Sequence, residues 1–292
     1  MASYKTRLIN KLSKFINARR GVLALEFASS QGLGAKLEWC LETMAYCDEK
    51  GLTPCFKFSS PGSARNVDYF GSFFRIRGQK EKKFIVFSKI YHIRELNFKT
   101  NYDKLLDFDS AAHLINKYLA VRQEIIDEVD EFIFRNIGKD KNTLGIHCRG
   151  TDKTSEAPKV PYSKVKENVD LYLKKYPETD ILFVSSDDMN FINYMEKEIK
   201  GLPVVYRKDS FRAEDDQAIH TTPKLNVYDI NRDAVVNCLI LSRCNVLMKT
   251  ASILSGWSKL FNPQMPVIML NRPYNDWFPE RDLVGNEFFK PV

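Results

Sequence analysis

The second half of the chain alternates short apolar runs with amphipathic stretches of helical length. Each apolar run has four to six residues, which is typical of a buried strand. The runs predict strands over Thr143–Cys148, Ile181–Val184, Pro203–Tyr206, Asn245–Met248 and Val267–Leu270. The stretches between them predict helices over Tyr162–Lys175, Met189–Ile199, Asn231–Ser242 and Ser252–Phe261. Strands that alternate with such helices indicate a parallel sheet flanked by helices.

The first half opens with the same kind of unit. Val22–Phe27 is predicted to be a buried strand, and a turn containing Gly32 and Gly34 follows it. A long helix is predicted to begin near Ala35, and Pro54–Ser59 is predicted to be the next strand. A strand, a glycine-containing turn and a helix form the usual crevice for a phosphate or a substrate in an α/β sheet, although such a turn can also be purely structural.

The region between these two parts is harder to divide into elements. Residues 60–110 are rich in aromatic and basic side chains, with Phe84–Phe87 as a candidate short strand. Residues 111–137 predict one long amphipathic helix, and the polar segment that starts at Gly138 is the best domain boundary. We therefore expect an N-terminal α/β domain over residues 1–138 and a second domain over residues 139–292. The last residues of the second domain are predicted to pack back on the first.

Polar side chains are concentrated where the predicted strand Thr143–Cys148 ends. The loop there carries His147, Arg149, Asp152 and Lys153. Ligands of open parallel sheets bind at the carboxyl ends of the strands, and arginine can hold two phosphate oxygens through its planar guanidinium. Four polar groups crowded at the end of one buried strand favour a functional site over a structural ion pair.

Two later loops carry groups that suit either a structural or a binding role. Asp187 and Asp188 follow a buried strand, where a carboxylate can accept hydrogen bonds from a guanine edge or from ribose hydroxyls, or the pair can hold a metal ion. Asp188 suits the N-cap of the next helix, which leaves Asp187 as the ligand candidate. Thr250 and Ser252 precede another helix and can present N–H and O–H donors to a phosphate, or Ser252 can be a simple N-cap.

The composition is that of a globular protein with a substantial core. Of the 292 residues, 44% are hydrophobic and 28% are charged. No apolar run approaches the roughly 18 residues that cross a bilayer, and the N-terminus lacks the apolar stretch of a secretory signal. These features favour a cytoplasmic protein. The six cysteines lack the spacing of a zinc site and are predicted to be reduced thiols.

The net charge of +7 suits an anionic ligand without identifying it. Part of this charge lies in residues 5–20, where six basic residues and no acidic one accompany apolar residues at helical spacing. The segment therefore predicts an amphipathic basic helix. Such a helix can pack on the core with its basic face in solvent, or it can make a peripheral contact with an anionic membrane at its inner face.

Taken together, the three loops resemble those of the GDP-fucose-dependent fucosyltransferases of the α1,6 type and their bacterial nodulation-factor relatives. The resemblance rests on the run HCRGTDK over residues 147–153, on a strand followed by two aspartates, and on a helix, a strand and Thr-x-Ser over residues 229–252. It covers about residues 143–261 and extends to the turn at Gly32 and Gly34. Gly150 stands where the α1,6 enzymes have a second arginine, so the chain departs from their pattern there.

The resemblance implies a role for each donor-side residue that matches. It implies that Arg149 binds the donor diphosphate and that Thr250 and Ser252 lie near it. His147 and Asp187 match positions that contact the guanosine.

The resemblance also implies an acceptor side. Asp152, Lys153 and Glu156 match the charged residues around the acceptor, and Glu156 is the candidate base. Glu156 matches only if the loop is one residue shorter. Gly32 and Gly34 match the glycine turn of the family's first domain and are expected to belong to the donor-binding residues, not to the acceptor side.

The fold implied by the resemblance is α/β, with two Rossmann-like domains in a GT-B-like arrangement and parallel sheets flanked by helices. The activity implied is that of an inverting, metal-independent glycosyltransferase that uses no cofactor and transfers fucose from GDP-fucose to a glycan or glycolipid acceptor. One alternative is a GT-B glycosyltransferase that uses another nucleotide sugar. The other is a non-enzymatic nucleotide- or nucleic-acid-binding protein. The aromatic residues form no recognisable nucleic-acid motif, so we expect no nucleic-acid partner.

Overall fold

The computed structural model describes residues 21–59, 68–78, 85–149, 156–212 and 226–284. The basic helix predicted over residues 5–20 lies outside these ranges. The chain divides into two compact units, Met1–Gln123 and Glu124–Val292. The helix that precedes Gly138 therefore lies almost entirely in the second unit, whereas the sequence placed the boundary at residue 138.

The first unit contains a three-stranded parallel sheet and a two-stranded antiparallel ribbon. Its strands are β1 (Val22–Phe27), β2 (Thr53–Phe58), β3 (Phe74–Ile76), β4 (Ser88–Ile90) and β5 (Leu119–Val121). The parallel sheet has the order β2-β1-β4, and β3 pairs with β5. The helices are α1 (Leu33–Lys50), α2 (Tyr69–Phe73), α3 (Tyr102–Leu105) and α4 (Phe108–Tyr118), with a 3-10 turn over Ile93–Leu96.

The predicted unit of strand, turn and helix is present at the start of this unit. α1 begins at Leu33, slightly before the predicted start, and ends at Lys50. The C-cap residue Gly51 has a φ of 63°, a left-handed conformation that suits glycine. The Trp39 ring of α1 packs edge-on against Phe27 of β1 at 5.6 Å between ring centroids. The amphipathic face of α1 is thus fixed on the sheet. The turn that contains Gly32 is placed at the carboxyl end of β1.

The prediction of a single helix over residues 111–137 is wrong. α4 ends at Tyr118, and Leu119–Val121 form β5, which pairs antiparallel with Phe74–Ile76. A second helix, α5 (Gln123–Asn136), follows. The apolar positions of both helices continue in a helical period across the break, so the pattern alone does not reveal it. Pairing with a partner more than forty residues earlier overrides the local helical preference.

The second unit is a five-stranded parallel sheet with helices on both faces. Its strands are β6 (Thr143–Cys148), β7 (Ile181–Ser186), β8 (Val204–Val205), β9 (Val246–Lys249) and β10 (Val267–Met269). Besides α5, its helices are α6 (Tyr162–Lys175), α7 (Met189–Glu198), α8 (Val227–Ser242), α9 (Ile253–Phe261) and α10 (Glu280–Leu283). All five strands and four helices predicted for this half are confirmed, with small shifts at their ends.

The strand order β10-β9-β6-β7-β8 places a topological switch point between β6 and β9. On one face, Val165 of α6 and Phe191 of α7 belong to the same buried cluster as Ile146 of β6. On the other face, Gly145 lets α8 approach the sheet, because a Cβ there would lie 3.2 Å from the Leu241 Cδ2 of that helix. Helices thus cover both faces, and the carboxyl ends of β6 and β9 are the natural place for a ligand.

Two further predictions concern the whole chain. All six cysteines lie in the described ranges, where each is buried and none forms a disulfide. Among the helices that the structure describes, none is both long enough and apolar enough to cross a membrane.

Candidate functional site

A pocket lies at the carboxyl ends of β6, β7 and β9 in the second unit. Its lining comes from these strand ends, from the segment after β8, from α8 and from the start of α9. The lining residues are His147, Arg149, Ser185, Ser186, Asp187, Phe211, Ile230, Asp233, Ala234, Asn237, Cys238, Leu241, Ser252, Leu254 and Ser255. The fold thus brings together four of the predicted donor-side residues, which are His147, Arg149, Asp187 and Ser252.

Thr250 is buried behind this lining and joins the two strands at the switch point. Its hydroxyl accepts a hydrogen bond from the Arg149 N–H at 2.9 Å. The Thr250 N–H in turn donates to the His147 carbonyl at 2.9 Å. The loops that follow β6 and β9 are therefore held together by two hydrogen bonds, one of which is accepted by the Thr250 side chain. The Arg149 side chain extends into the pocket from this fixed point.

The guanidinium of Arg149 faces a carboxylate of the same pocket. Its Nε lies 3.9 Å from the Asp187 Oδ2, and the two side chains are 24% and 21% exposed. At 3.9 Å the pair is longer than a charge-assisted hydrogen bond, which measures about 2.7–2.9 Å. The positive charge of Arg149 thus lies in the pocket beside one carboxylate.

Asp188 has the structural role that the sequence indicated. Its Oδ1 accepts a hydrogen bond from the Asn190 N–H at 2.9 Å and caps α7. Its Oδ2 accepts a second hydrogen bond from the Tyr162 hydroxyl. Both oxygens are engaged in the scaffold, so Asp187 is the aspartate of this pair that lines the pocket. Within the described ranges, no group of three or more His, Cys, Asp or Glu side chains converges as a metal site.

His147 is held in its neutral form. Burial, together with the positive charges of Lys249 and Arg149, lowers the pKa of its imidazole to about 3. Its Nδ1 is buried, without a hydrogen-bond partner among the described residues. A neutral imidazole offers one donor and one acceptor. His147 can therefore recognise a polar ligand without adding a charge to the pocket.

The loop after β9 differs from the expected phosphate site. The Ser252 N–H donates to the Glu280 Oε2 at 3.0 Å, and the Ala251 N–H donates to the Asn271 Oδ1 at 2.7 Å. These two backbone donors are engaged inside the protein. Ser252 occupies the N-cap position of α9 without making a side-chain cap, and its Oγ has no partner in the described part of the chain. Of the Ser252 N–H and Oγ, the Oγ is the one without a partner in this part of the structure.

The polar lining residues that the sequence did not identify include Asp233 and Asn237. Both lie on α8, and Asp233 accepts hydrogen bonds from Arg207 Nη1 at 2.7 Å and Ser210 Oγ at 2.8 Å. Burial raises the pKa of Asp233, while its contacts with Ser210 and Arg207 lower it. The two residues are four positions apart and therefore share one face of α8, which is a signal that the sequence contained.

The remaining predicted residues lie elsewhere or outside the described ranges. Gly32 is the exposed N-cap of α1 in the first unit, and Gly34 lies in the first turn of that helix. Glu156 is half-buried, and its carbonyl accepts a hydrogen bond from the Tyr274 N–H at 2.8 Å. Glu156 is not among the described residues that line the pocket. Asp152 and Lys153 fall outside the described ranges, so the acceptor side stays a prediction.

Several solved structures share this fold. POFUT1 in complex with GDP-fucose is 12% identical, with a TM-score of 0.54 over 85% of this chain and 97% of that chain. An Arabidopsis thaliana FUT1 variant in complex with GDP is 11% identical, with a TM-score of 0.52 over 95% of this chain and 80% of that one. NodZ alpha-1,6-fucosyltransferase co-crystallised with GDP is 13% identical, with a TM-score of 0.50 over 82% and 91%.

No family model matches the sequence, and no curated protein matches it either. At these identities the likeness concerns the fold. The fold is α/β, with parallel sheets flanked by helices, as the sequence predicted.

Proposed function

We propose that this chain is a glycosyltransferase that transfers fucose from GDP-fucose to a hydroxyl of a glycan acceptor. The observation that supports this most directly is the position of Arg149. Its backbone is fixed to Thr250 at the switch point, and its guanidinium lines the pocket where such sheets bind nucleotides. Of the three similar structures, NodZ is named as an alpha-1,6-fucosyltransferase, POFUT1 is in complex with GDP-fucose, and the NodZ and FUT1 structures contain GDP, which supports the same choice of donor.

In this proposal the donor diphosphate lies against Arg149 and the Ser252 hydroxyl. When the bond between the sugar and the diphosphate breaks, negative charge grows on the β-phosphate. A preplaced guanidinium and a hydroxyl donor in a partly buried pocket stabilise that charge. His147 and Asp187 contact the guanosine, and Asp233 adds a second carboxylate to the pocket that can accept hydrogen bonds.

The transfer itself is proposed to be a direct displacement. The acceptor oxygen forms a bond to C1 of the fucose, the bond from C1 to the β-phosphate oxygen breaks, and GDP leaves with that electron pair. The acceptor proton passes to a carboxylate, with Glu156 as the first candidate and Asp152 as the second. Attack on the face opposite the leaving group inverts C1 through an oxocarbenium-like transition state. Arg149 supplies the positive charge that a metal ion supplies in other transferases, so the proposal includes no metal.

Nucleotide binding by the purified chain tests the donor. Isothermal titration calorimetry with GDP, UDP and CMP is expected to show the tightest binding for GDP and a large loss with Arg149→Ala. Release of GDP from GDP-fucose, compared with GDP-mannose and a panel of UDP sugars, then identifies the sugar. Preferential binding of UDP would favour a transferase with another donor. Salt-dependent binding of single-stranded nucleic acid without any nucleotide binding would favour the non-enzymatic alternative.

A further inference from the structure

A buried ion pair lies at the end of β9, next to the loop that carries Thr250 and Ser252. The Lys249 Nζ and the Glu280 Oε1 are 2.6 Å apart, and the two side chains are 0% and 5% exposed. Removing two charges from water is costly, and a buried pair is often no more stabilising than apolar residues of similar size. The pair therefore calls for an explanation other than stability.

The second oxygen of the Glu280 carboxylate contacts the loop. Glu280 Oε2 accepts the hydrogen bond from the Ser252 N–H at 3.0 Å. One carboxylate thus joins Lys249, the last residue of β9, to Ser252, the residue that precedes α9. A negative charge at this position also interacts favourably with the N-terminal end of a helix.

The Ser252 side chain behaves unlike that of an ordinary N-cap. A serine at this position usually accepts a hydrogen bond from an N–H of the first helical turn. Ser252 makes no such bond, although its side chain is buried. Its Oγ is buried and has no hydrogen-bond partner among the described residues, and Ser252 is one of the residues that line the pocket. A buried hydroxyl that is neither a cap nor part of the core network is explained if it binds a ligand.

The space that Glu280 occupies depends on Gly256 in α9. A Cβ at this position would lie 2.7 Å from the Glu280 Oε1 and 2.7 Å from the Pro279 Cγ. Asn271 holds the loop in the same way as Glu280, because its Oδ1 accepts a hydrogen bond from the Ala251 N–H at 2.7 Å. The side chains of Asn271 and Glu280 therefore hold the N–H groups of two consecutive loop residues, Ala251 and Ser252.

We infer that Glu280 is a positioning residue for donor binding, which holds the Ser252 backbone so that the Ser252 hydroxyl is directed to the pocket and not to a helix cap. Lys249 compensates the charge that this arrangement buries. The inference rests on the proposed function, in which that hydroxyl donates to the donor diphosphate. Glu280 thereby takes part in donor binding through Ser252, without contacting the donor or the acceptor itself.

A matched pair of double variants tests this role. Lys249→Met/Glu280→Gln and Lys249→Met/Glu280→Leu both remove the buried charges and keep similar side-chain volumes. They differ in whether residue 280 can accept the hydrogen bond from the Ser252 N–H. We expect the dissociation constant for GDP to stay within threefold of wild type in the Gln variant and to rise at least tenfold in the Leu variant. A folded Leu variant that binds GDP as tightly as the Gln variant would overturn the inference.

The coupling between Glu280 and Ser252 gives a second measurement. Ser252→Ala is expected to weaken GDP binding about tenfold in the wild-type background and by less than twofold in the Leu background. A purely structural role of Glu280 would leave the effect of Ser252→Ala the same in both. If Ser252→Ala binds GDP like wild type, the inference fails, and this result does not depend on the folding of any Glu280 variant.

Gly256→Ala tests the same role while the charges of Lys249 and Glu280 are kept. Its methyl group would crowd the Glu280 carboxylate, and we expect weaker GDP binding with little further loss on adding Ser252→Ala. Wild-type affinity in Gly256→Ala would count against the inference. Failure of the wild-type chain itself to bind GDP would refute the proposed function. Binding by wild type with unaffected variants would overturn the positioning role alone.

Discussion

The backbone N–H of Arg149 donates to the Thr250 hydroxyl at 2.9 Å, although the two residues are 101 positions apart in the sequence. This hydrogen bond links the ends of two adjacent strands at the switch point of the sheet. The orientation of the Arg149 side chain thus depends on a contact that forms only in the folded sheet. Groups held in this way lose less freedom when they bind a ligand, which favours catalysis.

Arg149→Ala should reduce kcat/KM by about 10²- to 10³-fold, which is the cost typical of losing one donor to the developing charge. Arg149→Lys is the matched control, because it keeps the positive charge and loses the planar fork that binds two oxygens. We expect it to recover part of the activity. Release of GDP from GDP-fucose measures both variants. An alanine variant that retains most of its kcat/KM would contradict the assignment of Arg149 to the diphosphate.

Thr250→Val keeps the shape of the side chain and removes the acceptor for the Arg149 N–H. We expect the free energy of unfolding to fall by about 1–3 kcal/mol, because a buried donor is left without its partner. Thr250→Ser keeps the hydroxyl and should lose less. Urea denaturation followed by circular dichroism measures the difference. Equal stabilities of the two variants would show that the hydrogen bond contributes nothing.

His147 predicts a dependence of stability on pH. The pKa of its imidazole is about 3 in the folded protein and 6.5 for an ordinary histidine. Between these values the unfolded chain binds the extra proton, so the free energy of unfolding decreases as the pH falls from about 6.5 towards 3. We expect His147 to contribute about 1–2 kcal/mol to the loss between pH 7.5 and pH 5. Urea denaturation at the two values should show a smaller loss for His147→Gln, and an unchanged pH dependence in that variant would contradict the neutral, buried state.

Much of the second unit could be predicted from the sequence. Its strands are short buried runs separated by amphipathic helices, so the local pattern and the tertiary environment agree. Because the strand positions could be predicted, Arg149 and Ser252 could also be predicted to follow strand ends. The sheet then brings these strand ends together.

The parts that could not be predicted depend on long-range contacts. β5 was missed because its pairing with β3 is invisible in a local helical pattern. Glu280 was missed for the same reason, since its partner Lys249 lies 31 positions away, at the end of another element. In our inference, the orientation of the Ser252 hydroxyl depends on the hydrogen bond from the Ser252 N–H to Glu280. The sequence could therefore identify the residue but not explain which of its groups faces the pocket.

Glu156→Gln tests the proposed base. The amide cannot take the acceptor proton, while its size and hydrogen-bonding shape are preserved. We expect kcat to fall at least 10²-fold with little change in GDP affinity, because a base acts in the transition state and not in donor binding. Glu178→Gln is a control on an exposed glutamate of the same unit and should leave both values unchanged. Equal losses of kcat and GDP affinity in Glu156→Gln would remove Glu156 as the base.

Gly32→Ala tests whether the turn after β1 contacts the donor. The φ of Gly32 is −63°, and a Cβ built there would meet no atom within 4 Å, so alanine fits the protein itself. We expect the free energy of unfolding to stay the same or to rise by about 0.4–1 kcal/mol, because alanine restricts the unfolded chain. If the backbone of this turn approaches the donor closely, the added methyl group should raise the KM for GDP-fucose several-fold without loss of stability.

Gly51→Ala is the opposite control, since the φ of +63° at Gly51 disfavours alanine. This variant should lower the free energy of unfolding by roughly 1 kcal/mol without any change in KM. Should Gly32→Ala show the wild-type KM, the glycine turn would have a structural role only.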